Sequence, residues 1–140
     1  MGSDPIADYV RLAAIPQENV AEVEEFLHRQ DAGSDTLAVL ERPNQPVALL
    51  KIHVGEATLF SFLPSRDGRS LLHETYIGKI YDATITQVHA VENLADVSAS
   101  KPESVEIAGS RLGGTINLTS YSTEERAALM DALREIVPRG

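Results

Sequence analysis

The stretch from Thr115 to Pro138 constrains this chain more than any other, because it passes from a strand pattern through a helix-start signal into a short amphipathic helix. Thr115, Asn117 and Thr119 alternate with Ile116 and Leu118, the two-residue period of a half-buried strand. Ser122 precedes Glu125 by three, the spacing at which a hydroxyl and a carboxylate cap each other's backbone donors. Leu129, Met130, Leu133, Ile136 and Val137 then share one helical face, and Pro138 stops the helix. A helix this short does not persist alone in water. Its apolar stripe has to seal a sheet built from the residues before it, so the pattern predicts an α+β domain with a docked C-terminal helix.

The upstream sequence supplies that sheet and one further layer. Asp4 before Pro5 is a helix opening, with Ile6, Tyr9, Val10 and Ala13 at helical spacing; residues 9–15 also fit a strand facing Val10, Leu12 and Ala14 one way. After Pro16 a second helix is predicted over 17–30, with Val20, Val23 and Leu27 inward and Gly33 beyond its end. From Thr36 the texture changes to short β-branched runs between turn residues, as in an antiparallel meander. We read strands at 36–41, 47–54, 58–63, 69–77, 80–91, 105–108 and 115–120, with turns at 43–46, Gly55-Glu56, Asp67-Gly68, Gly78 and 109–114. In 80–91 the apolar phase slips at Thr86–Gln87, which predicts a bulge or bend. Residues 93–104 form a long polar loop where binding residues could sit. Lys51 and His53 fall on the wetter end of their strand, so Lys51→Ala is expected to leave stability almost unchanged.

The chain therefore reads as a single domain over 1–140: a helical arm over 1–33, an antiparallel meander over 36–120 and a C-terminal helix over 122–137. About seven antiparallel strands closed by one helix resemble the bacterial pleckstrin-homology-like (PH-like) architecture, with 36–137 as a partly closed barrel. The resemblance is one of order and count. The first hairpin turn, Pro43-Asn44-Gln45-Pro46, lacks the lysines and arginines with which lipid-binding members grip phosphoinositides. A helix-grip fold fits if 9–15 is a strand, and a type III secretion chaperone is a further α+β analogue.

Composition narrows the function classes. With 140 residues the chain can bury a core unaided, and with no cysteine it has neither disulfides, thiolate catalysis nor cysteine-bound metal. The net charge of −9 repels phosphate backbones and anionic lipid, so neither nucleic acid nor a membrane is expected as partner. No apolar run approaches the ~20 residues of a membrane helix, and no leader pattern precedes the domain, which makes a cytoplasmic location the expectation. The glycines at 109, 113 and 114 form neither a phosphate loop nor a dinucleotide fingerprint, and Ser110 has no nucleophile-elbow context. No catalytic, cofactor or metal residue is assigned, and enzymatic activity is not expected. His53, His73 and His89 read as separate strand positions rather than ligands, and His28 as solvent-facing.

Two charged groups remain. Glu18, Glu22, Glu24 and Glu25, extended by Asp31 and Asp35, make the helical arm the centre of negative field, suited to a basic protein. Arg66, Arg69, Lys79 and Arg111 fall in turns and would form an anion rim if those turns share one end of the sheet. The expected function is a non-enzymatic protein-interaction module for a basic or mixed-charge partner. A small-ligand cavity protein, or an acidic immunity protein or export chaperone, are the alternatives, and a homodimer is compatible with all three.

Overall fold

The computed structural model describes residues 4–31, 33, 35–95 and 102–138. Among the described residues, three α-helices, a 3₁₀ turn at Val91–Asn93 and two antiparallel sheets make an α+β fold. Helices α1 (Pro5–Leu12) and α2 (Gln17–Gln30) precede strands β1 (Thr36–Leu40), β2 (Ala48–His53), β3 (Glu56–Pro64) and β4 (Ser70–Gly78), which form a four-stranded meander. Strands β5 (Thr84–Val88), β6 (Ser104–Ala108) and β7 (Gly114–Asn117) form the second sheet, and α3 (Thr123–Ile136) follows. No helix among the described residues is long and apolar enough to cross a membrane.

The ambiguous segment 9–15 is helical as far as Leu12. The Asp4 carboxylate accepts from the Ala7 amide at 3.2 Å, Pro5 takes the first turn, and the helix ends where Ala14 turns to φ 53°. At the other end of the chain, the Glu125 amide donates to Ser122 Oγ at 3.1 Å and the Ser122 amide to Glu125 Oε1 at 2.9 Å, completing the capping box.

Alternation along β2 explains why the four-stranded sheet is covered twice. Ala48, Leu50 and Ile52 face a core shared with the second sheet and with Leu129, Leu133 and Ile136 of α3. Leu49 faces the opposite way into a second core with Phe60 and Val39, roofed by Ile6, Tyr9 and Val10 of α1 and Val23 and Leu27 of α2. A strand buried on both faces must be apolar on both. At its C-terminal end only one face keeps that character, and Lys51 and His53 occupy the other.

The sheets do not close into a barrel, contrary to the barrel expectation. A single isolated bridge, Glu41 to Thr115, links β1 to β7, with reciprocal amide–carbonyl bonds of 2.8 Å. The approach is close enough that a Cβ on Gly114 would meet Glu41 O at 2.6 Å, so glycine is required there. Nothing pairs β4 to β5, because residues 79–83 leave the sheet: the Ile80 amide donates to Ile136 O at 2.6 Å instead of to a strand. The expected 80–91 strand thus shortens to Thr84–Val88. The bulge or bend expected at Thr86–Gln87 is absent, because β5 pairs β6 in unbroken register through both residues. The register shift lies instead between β3 and β4, where Ile77 is the extra residue.

The β2–β3 turn is Val54-Gly55, one residue earlier than the pattern implies. Both residues have positive φ, 48° and 73°, as a two-residue hairpin loop of the I′ kind demands. Gly55 adopts this freely, whereas Val54 is β-branched, 83% exposed and in a left-handed conformation that costs a side-chain-bearing residue ~1–2 kcal/mol. Asparagine tolerates that region far better. Val54→Asn is expected to raise stability by about 1 kcal/mol, read as a higher urea midpoint; a lower midpoint would contradict the turn assignment.

Candidate interaction site

The acidic arm separates into a displayed stripe and an internal group. On α2, Glu18, Glu22 and Glu25 recur at i, i+4 and i+7 on the face opposite Val23 and Leu27, and all three are exposed. Glu24 is half-buried beside that stripe, and Arg29 lies 3.9 Å from Glu25 at its end. Asp31 turns back to accept from the Gly33 amide at 2.9 Å.

Asp35 does not extend the displayed stripe. Its carboxylate is wholly shielded from solvent, pairs with His53 Nδ1 and lies 3.9 Å from Lys51 Nζ, while Lys51 also donates to Gln30 O at 3.1 Å. Lys51 therefore ties the last turn of α2 and the start of β1 to β2. With only 18% of its side chain exposed, it is not the dispensable surface residue its strand position implied. Removing it leaves a shielded carboxylate with one partner fewer and an uncapped helix carbonyl. Lys51→Ala is expected to cost about 1–2 kcal/mol in chemical denaturation; an unchanged midpoint would contradict this account.

The four turn cations do not meet. Arg66 and Arg69 lie in the β3–β4 loop, where Arg69 pairs with Asp67 at 3.2 Å. Lys79 follows the far end of β4 and donates to Gly55 O and Glu135 O, both at 3.2 Å, and Arg111 donates to Ile77 O at 2.8 Å. About 30 Å of extended chain, the length of β4, separates the two pairs. Lys79 and Arg111 also spend donors on backbone carbonyls, so the geometry offers no common anion rim. His53 is committed to Asp35 while His73 and His89 are exposed on other segments; among the described residues no group of three metal-ligating side chains forms. The candidate loop 93–104 falls in part on 96–101, which lie outside the described residues.

Several surface hollows indent the described residues. One of about 340 Å³ runs between Arg42 and the 109–114 loop, and two of about 290 and 250 Å³ flank Tyr121 beside α1. Burial, with the negative charges of Asp8 and Glu125, pushes the Tyr121 phenol up to about 12, so it is a neutral hydroxyl across the physiological range. A wider hollow, about 670 Å³, lies between β5 and α3, walled by Ala83, Ile85 and Gln87 on one side and Met130, Arg134 and Val137 on the other. Sequence reasoning passed over this place. Its signal is the run Thr84-Ile85-Thr86-Gln87-Val88, which has neither charge nor proline.

Comparison with protein-family models, with characterised proteins and with solved structures finds no match to this chain.

Proposed function

We propose that this chain is a non-enzymatic, cytoplasmic protein-interaction module that binds a basic or mixed-charge protein partner through the outer face of α2. The observation that carries the reading is the exposed stripe of Glu18, Glu22 and Glu25 on a helix whose opposite face, at Val23 and Leu27, is locked into a core. Carboxylates on a fixed platform, in a chain of net charge −9, produce an oriented field that attracts cations and repels phosphate. A PH-like order agrees with the element sequence, in which a four-stranded and a three-stranded meander precede one C-terminal helix. That architecture commonly serves as a scaffold, and here the arm supplies the charge.

Affinity capture tests the reading. Immobilised intact chain is expected to retain a basic or mixed-charge partner that a variant carrying Glu22→Gln, Glu24→Gln and Glu25→Gln loses at low salt. Equal retention of the same partner by both chains would remove α2 as the binding face.

A further inference from the structure

The geometry points to a second docking site, independent of the acidic face: the outer edge of β5, with the groove between it and α3, takes an extended peptide segment of another protein by strand addition. The segment has alternating apolar side chains and one acidic side chain placed against Arg134.

The direction of the backbone groups follows from the ladder. The Leu118 amide donates to Glu103 O at 2.8 Å, in register with the β6–β7 pairing, so the Glu103 carbonyl and, two and four residues on, the backbone groups of Val105 and Ile107 turn toward β7. Ser104, Glu106 and Ala108 consequently face β5, and their partners Val88, Thr86 and Thr84 face back toward them. The Glu103 amide also donates to Val88 O at 2.7 Å, which fixes the same sense at the end of the ladder. Ile85 and Gln87 must then aim their N–H and C=O groups outward, where β5 has no neighbouring strand among the described residues. Such a row is a template for one more strand.

Native edges are normally blunted, and β4 is: it carries His73 and Glu74 and a bulge at Ile77. β5 has none of these devices. Of the exposed large apolar side chains among the described residues, Leu12, Val54 and Tyr76 lie elsewhere, and the other three flank β5, with Tyr81 at 76% exposure before it and Val91 and Leu94 at 80% and 52% after it. A strand added to β5 would send alternate side chains into the 670 Å³ groove, against Met130 and Val137. Among the described residues Arg134 at the rim is held only by Asp131 at 3.4 Å, with both side chains mostly exposed, so an incoming carboxylate can recruit it. Main-chain bonds select an extended occupant, the groove selects apolar side chains, and Arg134 selects an acidic one.

The test uses the full chain and a displayed library of random dodecapeptides. Enriched peptides are expected to alternate apolar residues around an acidic one, and a synthetic copy should shift the amide resonances of Ile85 and Gln87 and leave those of α2 in place. Gln87→Pro removes an outward N–H that no ladder bond uses, so the fold should survive while affinity for that peptide falls about tenfold or more. Should that variant fail to fold, Arg134→Glu provides the same reading, since it is expected to turn the library's preference from acidic to basic. The inference is overturned if no peptide is enriched, if enriched peptides bind Gln87→Pro or Arg134→Glu as they bind the parent, or if their shifts map elsewhere. It is equally overturned if the intact chain sediments as a dimer that Gln87→Pro dissociates, for then a second copy occupies the edge.

Discussion

Leu133→Ala should lower the unfolding free energy by about 2–5 kcal/mol, the range for truncating a buried leucine. Leu133 is fully buried and sits between Leu129 and Ile136, both also buried, in the core that α3 shares with both sheets. Among the described residues the Glu41–Thr115 bridge is the one strand pairing between the two sheets, and α3 covers the apolar faces of β1, β2 and β3. A cavity under its centre therefore loses contacts to β1, β2 and β3 at once, the strands against which α3 packs. Denaturant titration would show the loss as a lowered midpoint. An unchanged midpoint would mean that α3 is not docked.

Tyr9→Ala is expected to cost a similar amount, about 3–5 kcal/mol, because it empties the centre of the second core. Tyr9 is fully buried, and its hydroxyl oxygen accepts the Phe62 amide at 2.8 Å, joining α1 to β3. Burial raises its phenol's pKa, opposed by the Phe62 bond and by Arg42, so the neutral form is the structural one. Tyr9→Phe separates the two contributions: it keeps the ring and leaves the Phe62 amide without its acceptor, at about 1–3 kcal/mol. A Tyr9→Phe loss as large as that of Tyr9→Ala would assign the whole effect to the hydrogen bond and contradict the packing argument. Negligible loss from both would mean that the arm is not seated on the sheet.

The parts of this fold written in local chemistry were legible in the sequence. The Ser122–Glu125 box, the Asp4-Pro5 opening, the proline and glycine bounds of α2 and the alternation in β2 each involve residues within a few positions of one another. What escaped depends on pairing between distant segments. Whether β4 meets β5 is decided by Ile80, whose amide bonds to α3. No pattern within 80–91 carries that information. Asp35 read as one more surface carboxylate because its partners, Lys51 and His53, lie on another strand. The turn cations looked alike in sequence, yet β4 holds Arg66 and Arg69 away from Lys79 and Arg111. The α2 stripe was legible because helical spacing alone sets it, whereas the β5 groove needed the position of α3.

That the α2 face guides a cationic partner is best tested by association kinetics with the captured partner. Rates should be measured from about 20 mM to about 150 mM salt, over which the screening length falls to about 8 Å. The intact chain is expected to associate fast at low salt and to slow steeply as salt rises, whereas the chain with glutamine at Glu22, Glu24 and Glu25 should start slower and respond weakly. Equal rates for both chains, with no response to salt in either, would contradict the account and leave the glutamates of α2 as a solubility feature.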